Sequence, residues 1–475
     1  MQNNNPSSPP RFLGTFGLAM LTVSAIISLR NLPTNALLGS QIIVYILAAA
    51  FTFFIPVALA CAELAAGWPR AGGVYLWVKE AFGSKLGFLA LWLQWAESVV
   101  WLPSPLSFLA ATTAYLFNPC LEKNKYFLIS LMLTYLWGTT LLNFRGLKTA
   151  SKLSSLGVVL GSLLPAAILI ALGFHYLASP EHVSVLTLNA ENLQPIFDSS
   201  SFATFTAILL GLCGMEITAY HVQNAKNPQR GYPRAMFLAT FLIVAISVLG
   251  ALIIAMVIPK AEISLVAGPM QAFNSFFNRL GLSSFTPVLA ALTLIGGLAL
   301  LNAWIIGPCK GLLASAEEGH LPKSCQKINK AGVPTTLLYA QALIGTLFIA
   351  VFVFIPSIQG AYWIVNILAA QLYLIMYFIL FISLIKLHYS HPQVPRPYRI
   401  PGGKFGVWLV GLLGASSTLT AIVVGFIKPA DIDVAMSQSQ YASMLGCGIF
   451  IFTVPPMIFL NKQRLHKRKR ENAHA

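Results

Sequence analysis

Charge is what this sequence has least of. Only 9% of its 475 residues are Asp, Glu, Lys or Arg, while 57% belong to the hydrophobic set. An ordinary soluble domain carries roughly 25% charged residues. Acids are the scarcer sign: 14 Asp and Glu stand against 30 Lys and Arg, a net charge of +16. So few charges cannot clothe a soluble globule, and a single water-soluble core stops growing near about 250–300 residues. A soluble enzyme and a disordered chain are excluded. The six cysteines form no CxxC pair and mostly lie in or beside apolar runs, which excludes a secreted disulfide scaffold and reads as small buried hydrophobes. HExxH, GxSxG and GxxxxGK[ST] are all missing, so nothing points to a membrane enzyme or an ATP-driven pump, and no metal or cofactor is expected. Residues 1–10 hold no basic n-region, so the first apolar run is expected to stay as a membrane anchor.

What the chain does have is long apolar runs. A template of about 20 mostly apolar residues per membrane-crossing helix gives twelve candidates, centred on Thr22, Ala50, Ser98, Leu133, Leu164, Leu210, Ser247, Leu298, Thr346, Ile375, Leu413 and Phe450. An even number puts both termini on one side. With the N-terminus inside, 24 of the 30 Lys and Arg fall on the cytoplasmic side, five fall outside and Arg30 lies within a span. That distribution obeys the positive-inside rule. The expected layout is a cytoplasmic segment 1–11, a twelve-helix domain 12–461, and a basic cytoplasmic tail 462–475. The positive charge is then a record of topology. The run His466 to Arg470 reads as an anchor to anionic lipid rather than a nucleic-acid site. The bilayer is a partner; nucleic acid is not.

Against this background the intramembrane charges stand out, because each costs about 2.5–3.5 kcal/mol near the bilayer centre. They are Arg30 in the first span, Glu97 in the third and Glu216 in the sixth. Arg30 sits in Ser28-Leu29-Arg30-Asn31-Leu32-Pro33, where Pro33 lacks an amide hydrogen and disfavours helix at Leu32. A helix broken there either lines a cavity or is a proline kink whose Arg30 snorkels to an interface. The sixth span carries a second interruption, Gly211-Leu212-Cys213-Gly214-Met215-Glu216, followed by Thr218, Tyr220 and His221. Breaks in the first and sixth spans match a transporter of two inverted five-helix repeats, here about 12–178 and 202–390, with two further helices over about 404–461. Backbone freed at Leu29, Asn31, Leu32, Cys213, Gly214 and Met215 suits the α-carboxylate and α-ammonium of an amino acid. Tyr373 and Tyr377, four apart, share a face of the tenth span, either in aromatic packing or toward a site. Trp304 falls in a Trp-x-x-Gly-Pro turn, and Gln94 shares a helix face with Glu97.

Several loops carry a resemblance. Pro69-Arg70-Ala71-Gly72-Gly73-Val74-Tyr75 and Arg396-Pro397-Tyr398-Arg399-Ile400-Pro401-Gly402-Gly403 resemble signatures of the amino acid–polyamine–organocation superfamily. Gly214-Met215-Glu216, His221-Val222, Asn227-Pro228, Ala255-Met256-Val257-Ile258-Pro259 and Trp304-Ile305-Ile306-Gly307-Pro308 are similar to the bacterial glutamate/γ-aminobutyrate antiporters. The resemblance runs from about Phe12 to Asn461. It implies an all-α fold of twelve transmembrane helices with broken helices one and six. It also implies exchange of one amino acid for a related amino acid or its decarboxylated amine, by alternating access in a bacterial inner membrane. The family's pocket residues fall on Glu216, Trp304, Tyr373 and Tyr377. Two departures bear on specificity: the family's tyrosine in the broken first helix is replaced by Arg30, and an acid just before the tryptophan by Leu300. A proton-coupled permease of other specificity, a channel and a transport-like nutrient sensor remain as alternatives.

Overall fold

The computed structural model describes residues 14–69, 72–145, 159–179, 198–217 and 228–474, with positions 186, 189, 192–196 and 226 between them. The segment 1–11, the loop residues Arg70 and Ala71, and Thr218, Tyr220, His221 and Asn227 lie outside the described residues. So do the side chains of the tail 462–475.

Helices make up the fold, and among the described residues the sole strand-like feature is one bridge between Ile328 and Pro334. Among the described residues, eleven helices are long and apolar enough to cross a bilayer, running in order from Gly39–Gly67 through Ser84–Phe117 to Gln438–Ile458. They coincide with the second to twelfth candidate spans. The first does not qualify as one helix because it is broken: Thr15–Ile26 and Leu32–Ala36 flank a single tight turn, Leu29–Asn31. Every backbone polar group inside a bilayer needs an internal partner, so this break has to be covered by protein. It is, since Thr15–Ile26 packs along the seventh span (Pro228–Val257), as does Leu32–Ala36.

The position of the break differs from the expectation drawn from Pro33. Ile27 and Ser28 are the extended residues, with ψ of 121° and 129°. Leu32 is helical, and Pro33 falls in the first turn of the second half. A proline is favourable there, because the first-turn amide would be unpaired in any case. Pro33 thus starts a helix rather than ending one. A second correction concerns Trp304-Ile305-Ile306-Gly307-Pro308, which is not a turn: it lies inside the continuous eighth span Phe285–Glu317. Pro308 has no N–H to return to the carbonyl of Trp304 four residues earlier.

The second span also carries a local irregularity, one wide turn over Ala50–Phe54 just before Pro56. The missing amide of Pro56 removes one rung of the helix ladder, and wide turns of this kind arise at such places. Its effect is to seat the ring of Phe53 edge-on against Tyr377, centroids 5.1 Å apart. The tenth span (Ile358–Ser390) is the most central element, packed on the third and eleventh spans and on the sixth. Tyr362, Trp363, Tyr373, Tyr377 and Phe381 along it are all at most 2% exposed.

Candidate functional site

Two breaks lie side by side at the centre of the protein. The sixth span runs as helix over Ser199–Gly211, then opens at Cys213 and Gly214 before a tight turn at Met215 to Ile217. Gly214 has φ of +115°, a conformation open to glycine and strained for any residue with a Cβ. A methyl placed on Gly211 would lie 3.2 Å from the side-chain Nδ2 of Asn31, and one on Gly214 would lie 3.4 Å from the side chain of Ile26. The two interruptions therefore touch across a glycine seam.

Glu216 follows directly and is fully buried. Its carboxylate accepts from the hydroxyls of Tyr373 and Tyr377 and from Nε2 of Gln94 at 3.0 Å. Tyr377 also accepts from the unwound Gly214 N–H at 2.8 Å. One hydroxyl thus joins freed backbone to buried acid. Hydrogen bonds to an ionised group are worth about 1.5–3 kcal/mol each, so three donors go far toward offsetting the burial of one carboxylate.

Arg30 forms a separate cluster. It is 4% exposed. Its Nη1 donates to the Ser104 hydroxyl, to Asn366 Oδ1 at 3.1 Å and to the Tyr362 hydroxyl at 3.3 Å. The guanidinium lies over the Trp101 ring, 4.9 Å from its centroid. Arg30 does not pair with Glu216, so the two charges do not cancel by contact. Trp304 stacks at a tilt on Trp101, centroids 5.3 Å apart, and so joins the arginine cluster rather than the glutamate cluster. Glu97 is 3% exposed, and its Oε2 has no hydrogen-bond partner among the described residues. Leu29 and Cys213 are buried beside the breaks, with the Cys213 thiol donating to the Leu209 carbonyl at 3.2 Å.

Sequence reasoning had placed Tyr373 and Tyr377 but missed Tyr362, Asn366 and Ser104, and had left Gln94 without a role. A signal was present. Positions 362, 366, 373 and 377 fall within about 60° of one another on a helix turning 100° per residue, so the tenth span presents one polar stripe to both clusters. Arg30 and Leu300 line a common cavity of about 20 Å³ between the first, third, fifth and eighth spans. Among the described residues no group of three or more His, Cys, Asp or Glu could hold a metal ion.

Broken helices abutting at a buried polar centre are the geometry of a carrier, and comparison with known proteins supplies the family. A model described as amino acid permease matches residues 13–452. The chain belongs to the amino acid permease family. This permease is 42% identical to an uncharacterised transporter of Legionella pneumophila over 95% of the chain and 97% of that protein. It is 29% identical to a glutamate/γ-aminobutyrate antiporter of Lactococcus lactis over 97% of the chain and 93% of that protein. A Lactococcus lactis protein named as a probable agmatine/putrescine antiporter is 23% identical over 89% of each chain. These relatives are transporters, not enzymes, and the family implies amino acid or amine substrates. Their named substrates differ in charge, so membership of the family does not choose among them.

Proposed function

We propose that this permease is an amino acid antiporter of glutamate/γ-aminobutyrate type, exchanging one amino acid for a related amino acid or amine by rocking around the two breaks. The observation that carries the proposal is Glu216, a fully buried acid held by Tyr373, Tyr377 and Gln94 beside freed backbone of the sixth span. Extended backbone at Ile27 and Ser28, in place of the expected Leu29, Asn31 and Leu32, which are taken up in the tight turn and the second half-helix, recognises the α-carboxylate and α-ammonium together with the opened backbone at Cys213, Gly214 and the turn at Met215. Tyr373 and Tyr377 line the pocket, while Trp304 and Trp101 form its aromatic wall. Glu97, buried on the third span with an unpartnered oxygen among the described residues, is a further polar group of the site. Arg30 keeps its positive charge toward the site, because its contacts are all with neutral groups. That charge favours acidic or neutral side chains over arginine or polyamines.

The 24 Lys and Arg on one side of the span pattern support a bacterial inner-membrane location with both termini cytoplasmic. Counterflow in proteoliposomes tests the function. A panel of amino acids and their amines should show saturable, trans-stimulated exchange, and absence of exchange with every member would refute it. Flux without trans-stimulation would indicate a channel, and binding without flux a sensor. Arg30→Tyr should shift the charge of the preferred substrate; unchanged selectivity would assign Arg30 a structural role.

A further inference from the structure

Burying a guanidinium without a counter-charge costs several kcal/mol even after relaxation. Arg30 is close to that situation: buried Glu97 interacts with it electrostatically but forms no ion pair with it. All its hydrogen-bond partners are neutral, and no carboxylate of the described residues lies within 4.0 Å. Its Nε has no hydrogen-bond partner at all among the described residues. The same is true of the Thr293 hydroxyl on the eighth span, whose residue is 1% exposed. Both residues line the cavity of about 20 Å³, together with Trp101, Phe108, Ser162 and Leu300.

Two unpartnered buried donors on separate spans, one of them a full cation, therefore share one cavity. No acid lines it. A trapped water needs about 10–15 Å³ and could satisfy the donors, but it supplies no charge. In this conformation the walls leave no room for a large ligand. A methyl on Gly161 would lie 2.2 Å from the Gly296 backbone, and one on Gly297 would lie 2.3 Å from Leu109. These contacts hold the fifth and eighth spans, and the eighth and third, at close approach.

We propose that this cavity is a binding site for a single small monovalent anionic group, held by Arg30 Nε and the Thr293 hydroxyl. The group is either a free halide such as chloride or the carboxylate of a small acid. Occupancy neutralises Arg30 and ties the broken first span to the third, fifth and eighth. Such a site lies apart from the Glu216 carboxylate, and where it is filled the anion offsets the Arg30 charge that the exchange reading turns toward the substrate.

The test uses purified full-length protein in detergent, with no transported amino acid, and follows thermal unfolding by tryptophan fluorescence. In one arm chloride replaces gluconate at constant ionic strength; in the other, chloride-free, acetate replaces gluconate. A saturable rise in the midpoint is expected in at least one arm, and which arm responds identifies the source of the anion. Thr293→Val removes the hydroxyl at nearly constant shape and should weaken the apparent affinity at least tenfold. Arg30→Gln should abolish the response. A wild-type midpoint indifferent to both anions, or either variant responding as the wild type does, overturns the proposal. Because no transport is measured, that outcome leaves the exchange proposal standing.

Discussion

Replacing Tyr377 with phenylalanine should be markedly worse than making the same change at Tyr373. Both hydroxyls donate to Glu216, but Tyr377 also accepts the N–H of Gly214 at 2.8 Å. Losing one hydrogen bond to a charged group costs about 1.5–3 kcal/mol, and leaving a buried N–H unsatisfied adds about 1–3 kcal/mol. Tyr373→Phe incurs the first cost and Tyr377→Phe both. Relaxation and entering water reduce each absolute figure, so the difference of about 1–3 kcal/mol is the firmer quantity, and it corresponds to roughly 5–150-fold. The assay is initial exchange rate in proteoliposomes at matched reconstitution, with the unfolding midpoint in detergent as a second readout. Tyr377→Phe should fall below Tyr373→Phe in both. Equal losses, or a larger loss for Tyr373→Phe, would refute the claim that Tyr377 pins the open backbone of the sixth span.

Three further outcomes follow from packing and charge elsewhere. Glu63, 1% exposed, accepts from Arg396 Nη1 at 2.9 Å and from the Ile400 amide at 2.8 Å, fastening the second span to the loop after the tenth. Glu63→Gln should lower stability by about 3–5 kcal/mol, since it strands a buried cation; an unfolding midpoint within a degree of wild type would contradict this. Gly161→Ala should destabilise by about 1–3 kcal/mol through overpacking, because the new methyl meets backbone of Gly296 at 2.2 Å and backbone cannot swing aside. The fourth outcome concerns pH. Outside the spans Glu318 accepts from Tyr75 and from Lys79 at 2.8 Å. Burial pushes the Glu318 carboxyl up, but the Lys79 and Tyr75 bonds outweigh it and hold it below the usual range. Lys79 is lifted, chiefly by Glu318, and the Tyr75 phenol is pushed up to about 12, chiefly by burial. A lowered carboxylate stabilises above its unfolded value, near 4.3, and loses that contribution as pH falls through its lower folded value. A raised lysine stabilises below about 10.4 and loses it as pH rises through its higher folded value. The latch should hold between those limits. With side chains 38% and 43% exposed it is worth at most ~1 kcal/mol. Glu318→Gln should remove a small stability difference seen at pH 7 but not at pH 3; a difference that persists at pH 3 would count against the ion pair.

The sequence by itself determined the class of molecule. Apolar length is a local property that the bilayer tests one segment at a time, so eleven spans and the segment around Thr22 could be read off directly. The scarcity of charge made Arg30, Glu97 and Glu216 visible, because the membrane makes each of them costly. Gly214 showed where the sixth span opens, since few residues other than glycine tolerate its backbone. Pro33 misled, because the same ring that ends one helix is equally fit to begin the next, and only the fold chose between them. The pairing of the buried charges was decided by tertiary structure alone. Glu216 meets a tyrosine 161 residues away and Arg30 an asparagine 336 residues away. No local periodicity encodes such contacts. Arg30 and Glu216, the two charges the composition made conspicuous, were brought to one region by packing of the first, sixth and tenth spans. They were then held apart by neutral partners, because Ser104, Tyr362 and Asn366 reach the guanidinium while Tyr373, Tyr377 and Gln94 reach the carboxylate.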